Sequence, residues 1–134
     1  RRPVPAYSET LLDHFHHPRN LGEMEGANAV GDSSNDSCGD LMRLFLRIED
    51  GTVREARFMT LGCAAAIATG SILTEMITGK KLADALAVTN EQVAAALGGM
   101  PPAKVHCSVL AEQALKAAAK DFDRRARGST KPKK

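Results

Sequence analysis

The stretch LMRLFLRIEDGTVREARFMTL, residues 41–61, predicts the centre of the fold. Bulky apolar side chains alternate with other residues over 41–48, and a second segment with apolar members follows over 53–61. The residues between them, Glu49-Asp50-Gly51-Thr52, are typical of a tight turn. These two segments therefore predict an antiparallel β-hairpin.

Each end of this hairpin carries a cysteine next to a glycine. Cys38-Gly39-Asp40 precedes the first strand, and Gly62-Cys63 follows the second. Because antiparallel strands of similar length begin and finish side by side, we expect these two segments to lie close together. A third cysteine, Cys107, comes directly after His106, close to the predicted start of a C-terminal helix.

The chain has three cysteines, and none of them belongs to a CxxC pair. Three thiols cannot all pair within one chain, and a domain of this size needs no disulfide, so metal chemistry is favoured. Cys38, Cys63 and Cys107, completed by Asp40 or His106, would form a thiolate-rich ligand set suited to an iron-sulfur cluster or to zinc. The alternative is that all three are buried, inert cysteines.

Composition predicts one soluble globular domain. The chain has 134 residues, of which 43% are hydrophobic and 25% charged. No apolar run approaches the ~18 residues of a membrane span, no signal-peptide pattern opens the chain, and an aromatic content of 4% offers no stacking platform for nucleic acid. We expect no membrane or nucleic-acid role, and a reducing compartment such as the cytoplasm or, in a eukaryote, the mitochondrial matrix.

The pattern outside the hairpin predicts one short strand and five helices. The strand is expected at 29–31, and the helices at 7–17, 64–78, 82–87, 90–97 and 107–125. Ser8 and Thr89 are candidate N-caps, and His14, His16 and His17 are expected to cap or face solvent at the end of the first helix. The expected fold class is α+β, with a small antiparallel sheet of about three strands and helices on one face. Residues 1–6 are expected to be a flexible segment, 7–125 the folded domain and 126–134 a basic, disordered tail.

Several motifs occur in an order that resembles one known family. They are Asp13-His14-Phe15 with Pro18-Arg19-Asn20, Cys38-Gly39-Asp40, Thr60-Leu61-Gly62-Cys63, and Pro101-Pro102-Ala103-Lys104-Val105-His106-Cys107-Ser108. Through these motifs the chain from Tyr7 to about Phe122 resembles the iron-sulfur cluster assembly scaffolds, namely the IscU type and the N-terminal domain of NifU.

The resemblance implies a binding protein rather than an enzyme. Cys38, Cys63 and Cys107 would hold a nascent [2Fe-2S] cluster, with Asp40 and His106 as exchangeable ligands, and zinc could occupy the cluster-free site. Iron, and sulfur from a cysteine desulfurase, would build the cluster, which would then pass to acceptor apoproteins. A frataxin-like protein and a ferredoxin are further implied partners, and a homodimer is a further implied state.

Two finer assignments accompany the resemblance. Lys104 is expected to balance charge at the site, and Cys107, close to basic groups, is the first candidate to accept persulfide sulfur, with Cys38 as its rival. The segment Met100-Pro101-Pro102-Ala103-Lys104 resembles the Leu-Pro-Pro-Val-Lys motif recognised by an Hsp70-type chaperone, but departs from it at two apolar positions.

A zinc-bound sulfurtransferase that only receives and passes on persulfide is the alternative function, and a structural zinc domain is a third.

Overall fold

The computed structural model describes residues 8–35, 39–100 and 104–128. In chain order its elements are α1 (Glu9–His16), β1 (Ala29–Asn35), β2 (Asp40–Glu49), β3 (Thr52–Leu61), α2 (Ala64–Ile77), α3 (Leu82–Leu86), α4 (Asn90–Ala96) and α5 (Val105–Gly128). The strands form one antiparallel sheet in the order β1-β2-β3. This confirms the predicted α+β class. The expected flexible segment, residues 1–6, lies outside the described residues. The expected tail, residues 126–134, is described only up to Gly128, where α5 ends.

The predicted hairpin is confirmed. β2 and β3 pair along almost their whole length, with one register shift between Arg47 and Ile48. Asp50 and Gly51 connect the strands with positive φ angles of 54° and 74°. Two consecutive residues with positive φ match the twist of the flanking strands, which explains the Asp-Gly sequence at this turn.

Strand β1 is longer than predicted. It continues through residues 32–35, which are polar and weak strand formers. Helix α5 supports this strand, because the Val30 N–H donates a hydrogen bond of 2.8 Å to the carboxylate of Asp121, and the Ser33 hydroxyl donates one of 2.7 Å to the carbonyl of Leu110. These partners are about eighty to ninety residues away in the chain, so local propensity cannot predict them.

The helices cover one face of the sheet, as predicted. The core includes Leu44, Leu46, Val53, Ala56, Phe58, Leu73, Leu110 and Leu115. Two glycines set how closely the main helices approach the sheet. A Cβ on Gly31 of β1 would lie 2.8 Å from the backbone of Ala117 in α5, and a Cβ on Gly70 of α2 would lie 2.5 Å from the Phe58 ring. These close contacts fix the positions of α2 and α5, whose first turns lie beside the candidate site.

Helix α1 docks on α2 through a residue that we expected at a solvated helix end. His14 is only 5% exposed, and its Nδ1 lies 2.7 Å from the hydroxyl of Ser71. That hydroxyl also accepts a hydrogen bond from the Arg19 N–H. The expectation was wrong because His14 lies three residues after buried Leu11, on the same face of the helix. Burial lowers the pKa of His14.

The predicted caps of the shorter helices are confirmed. The Ser8 hydroxyl accepts a hydrogen bond from the Leu11 N–H, and Thr89 forms a reciprocal capping box with Gln92. Helix α5 begins at Val105, two residues before its predicted start. Among the described residues, no helix has the length and apolar character needed to cross a bilayer.

Candidate metal centre

Three segments of the chain bring side chains of metal-ligating types to one end of the sheet. Asp40 opens β2, Cys63 is the N-cap of α2, and His106 and Cys107 lie in the first turn of α5. The convergence predicted from the hairpin is confirmed for Asp40 and the Gly62-Cys63 segment, since a Cβ on Gly62 would lie 3.1 Å from the Asp40 carboxylate carbon. Cys38 lies outside the described residues, so its role as a ligand stays a prediction.

The donor atoms of this site lie close together. The Sγ of Cys107 is 3.8 Å from the Sγ of Cys63 and 3.8 Å from Oδ2 of Asp40. The Nε2 of His106 is also 3.8 Å from Asp40 Oδ2. One ligand atom from each of Asp40, His106 and Cys107 lies within 4.8 Å of the other two.

These distances fit a bound metal. Two thiolates at about 2.3 Å from one tetrahedral ion are separated by about 3.8 Å, and a thiolate and a carboxylate oxygen by about 3.6 Å. The observed separation of 3.8 Å between Cys63 and Cys107 matches the first value, and that between Cys107 and Asp40 is close to the second. Asp40, His106 and Cys107 therefore form a compact donor set. Cys63 contacts this set through the sulfur of Cys107.

Burial raises the pKa of one thiol of the site, that of Cys107. Cys107 is fully buried, and this burial is the largest cause that raises the pKa of its thiol. The neighbouring Cys63 and Asp40 raise the pKa further, and Lys104 lowers it by less than these together. A metal that binds here must displace a proton from Cys107, which makes metal affinity dependent on pH. Lys104 thus lowers the pKa of Cys107, as expected of a basic neighbour, but burial, Cys63 and Asp40 together raise it by more. The choice of Cys107 as sulfur acceptor stays a prediction.

The segment that resembles the chaperone motif borders this site. Met100 is half-buried and contacts the small apolar cluster of Ala65, Ala66 and Cys107. Lys104 stands directly before α5 and is close enough to Cys107 to affect its pKa. Pro101, Pro102 and Ala103 lie outside the described residues, and recognition of the motif by a chaperone stays a prediction.

A groove with both polar and apolar lining residues lies beside the site, on the face of the sheet away from the helices. Leu41, Met59 and Leu61 are exposed there and line a groove of about 470 Å³. Leu41 follows Asp40 in the chain, and Leu61 is two residues before Cys63. We did not identify this groove from the sequence, although Leu41 and Leu61 are direct cross-strand partners at the open end of the hairpin. That pairing is the signal that could have revealed it.

The fold and the donor set define a small α+β domain with a cysteine-containing candidate metal centre at the end of its sheet. The chain belongs to the NifU-like N terminal domain family, whose model matches residues 6–128.

Comparisons with individual proteins agree with this family. The chain is 48% identical over 119 residues to iron-sulfur cluster assembly scaffold protein IscU 1 of Archaeoglobus fulgidus, covering 89% of this chain and 78% of that protein. It is 44% identical over 124 residues to the IscU scaffold protein of Escherichia coli K12, covering 87% of this chain and 94% of the relative. The crystal structure of the N-terminal part of a NifU-like protein from Brucella abortus shares the fold with a TM-score of 0.71 at 16% identity, over 88% of this chain and 94% of that one.

Proposed function

We propose that this protein is a scaffold on which a [2Fe-2S] cluster is assembled and from which the cluster is passed to acceptor proteins. The observation that carries the proposal is the meeting of Cys63, Cys107, Asp40 and His106 at one end of the sheet, with each neighbouring pair of donor atoms 3.8 Å apart. Relatives at 44–48% identity are named iron-sulfur cluster assembly scaffold proteins, which supports the proposed scaffold function.

The mixed donor set suits a cargo that must be held and then released. Thiolates bind cluster iron firmly, whereas a carboxylate or an imidazole is exchanged more readily. Cys63, Cys107 and, by the resemblance, Cys38 would supply the firm ligands. Asp40 and His106 would supply the exchangeable ones. The protein binds and orients the cluster as cargo, so we propose a binding role and not that of an enzyme.

Assembly and transfer both require other proteins. We propose a cysteine desulfurase as sulfur donor and apoproteins with free cysteines as acceptors; a ferredoxin, a frataxin-like protein and an Hsp70-type chaperone follow from the resemblance alone. Cys63 is half-buried and the His106 side chain is 29% exposed, so a partner thiol can reach this edge of the site. The free thiols of Cys63 and Cys107 are consistent with a reducing compartment such as the cytoplasm.

One observation favours a second candidate, a zinc-bound sulfurtransferase. The 3.8 Å between the two sulfur atoms suits one tetrahedral ion, and zinc prefers sulfur and nitrogen donors in that geometry. A protein of this kind would accept persulfide sulfur and pass it on without building a cluster.

Anaerobic reconstitution separates the two candidates. The metal-free protein is incubated with Fe²⁺, cysteine, a catalytic amount of cysteine desulfurase and dithiothreitol, which reduces persulfide sulfur to sulfide. It is then desalted and analysed for visible absorption, iron and acid-labile sulfide. The scaffold predicts a coloured protein with equal amounts of iron and sulfide, and no colour with Cys107→Ser, which keeps the size of the side chain. A protein that stays colourless with Fe²⁺, and that binds zinc and carries persulfide in a parallel incubation with Zn²⁺ and no reductant, would favour the sulfurtransferase.

A further inference from the structure

The carboxylate of Asp40 lies against the backbone of Gly62, at the turn between β3 and α2. A Cβ built on Gly62 would lie 3.1 Å from the Asp40 carboxylate carbon and 3.2 Å from its Oδ1. It would also lie 2.9 Å from the Cβ of Ala66, in the first turn of α2. Contacts under 3.0 Å essentially do not occur for a real Cβ, and those under 3.4 Å require a neighbour to move.

The backbone at Gly62 does not itself require glycine. Gly39 and Gly79 have positive φ angles of 74° and 90°, in the region where other residues are strained, whereas Gly62 is not among the residues with positive φ. An alanine could therefore adopt the backbone of Gly62. What the glycine supplies at this position is space.

The space lies on the Oδ1 side of the carboxylate. Oδ1 of Asp40 is the oxygen nearest to Gly62, while Oδ2 is 3.8 Å from Cys107 Sγ and 3.8 Å from His106 Nε2. A side chain at position 62 would displace the carboxylate and move Oδ2 out of its alignment with the other donors.

We propose that Gly62 is a positioning residue, whose missing side chain leaves the slot that holds the Asp40 carboxylate in line with Cys107 and His106. The proposal deepens the proposed function, since it treats Asp40 as an exchangeable ligand of the same site. It predicts that the effect of a methyl group at position 62 acts through Asp40.

The test is a set of Gly62→Ala variants in three backgrounds: the parent protein, Asp40→Ala and Ala66→Gly. The first measurement is Zn²⁺ affinity by competition with a chromophoric chelator. In the parent background we expect Gly62→Ala to weaken Zn²⁺ binding by about tenfold, as for the loss of a residue that orients a ligand. In the Asp40→Ala background we expect less than a twofold further change, because the displaced group is absent. The Ala66→Gly background removes the other close contact, and there the tenfold loss should persist.

The second measurement is the thermal midpoint of the metal-free protein, which depends on no cluster or metal. Gly62→Ala should lower this midpoint by roughly 3–10 °C, as expected for overpacking, and the loss should shrink by more than half in the Asp40→Ala background. An equal decrease of the thermal midpoint in the parent and Asp40→Ala backgrounds would overturn the proposal, as would full recovery of the midpoint with Ala66→Gly. The steric clash would then lie between residue 62 and α2. If Asp40→Ala leaves Zn²⁺ affinity unchanged, the assignment of Asp40 as a ligand in the proposed function fails. The thermal midpoints of Gly62→Ala in the parent and Asp40→Ala backgrounds still decide whether Gly62 makes room for the Asp40 carboxylate.

Discussion

Gly70→Ala tests how the packing of α2 on the sheet positions Cys63. Gly70 lies in the middle of α2, opposite the fully buried ring of Phe58 in β3. A Cβ at this position would lie 2.5 Å from Cε2 and 2.8 Å from Cγ of that ring. Since carbon atoms in contact are about 3.5–4.0 Å apart, α2 and β3 would have to separate by about 1 Å.

The expected magnitude follows from two opposing effects. Overpacking a core typically costs about 1–3 kcal/mol. Replacing a glycine inside a helix by alanine returns up to about 1 kcal/mol through helix propensity. A Cβ 2.5 Å from a buried ring is severe overpacking, so the upper end of the first range applies. We therefore predict that Gly70→Ala lowers the free energy of unfolding by about 2 kcal/mol. The same displacement moves Cys63 away from Cys107, so Zn²⁺ affinity should fall by about tenfold.

Urea denaturation of the metal-free protein, followed by circular dichroism, measures the first effect, and chelator competition measures the second. The matched control is Gly70→Ala combined with Phe58→Leu. The smaller leucine leaves room for the methyl group, so Gly70→Ala should cost less in that background. A Gly70→Ala protein as stable as the parent, with unchanged Zn²⁺ affinity, would refute the role of this contact in placing Cys63.

Three further predictions concern the site and the helix beside it. Asp40→Ala should hold its cluster longer than the parent under chelator challenge, because a hard, exchangeable oxygen ligand is gone; faster decay of the visible absorption would count against this role. Cys38→Ser, Cys63→Ser and Cys107→Ser should each abolish stable cluster formation with the fold retained; normal iron and sulfide content in one variant would remove that cysteine from the ligand set. Burial lowers the pKa of His14 below its ordinary 6.5. As the pH falls below about 6.5, His14 is therefore protonated in the unfolded chain before it is protonated in the folded protein, and the free energy of unfolding should decrease. Denaturation midpoints at pH 7.5 and 5.5 measure this loss, which His14→Gln should reduce; an equal loss in both proteins would exclude His14 as its source.

The local signals of the hairpin were sufficient to predict the core of the fold. Alternating apolar residues in β2 and the Asp50-Gly51 turn depend on neighbours in the chain, and the antiparallel pairing then places Asp40 beside Gly62 without further information. The same pairing predicts that the segments Cys38-Gly39-Asp40 and Gly62-Cys63 lie at one end of the sheet. Two ligand segments could thus be placed together because one hairpin joins them.

Features that depend on contacts between distant elements could not be predicted. The polar half of β1 is a strand because α5 supports it, and the side chain that contacts buried His14 is Ser71, on another helix and 57 residues later. Gly62 and Gly70 appear in the sequence as ordinary small residues, and only the packing of α2 shows what their missing side chains allow. Periodicity identifies the face of a helix, but not how closely that face approaches its neighbour.

The most direct measurement follows one cluster from this protein to an acceptor. The protein reconstituted with desulfurase-derived sulfide is mixed with an apo-ferredoxin of the [2Fe-2S] type in the presence of an iron chelator, and transfer is followed by circular dichroism in the visible range. A scaffold predicts that holo-ferredoxin forms at a rate little affected by the chelator, because the cluster moves between the proteins intact. Transfer abolished by the chelator, or a protein that never acquires a cluster while it still passes on persulfide sulfur, would contradict the scaffold function.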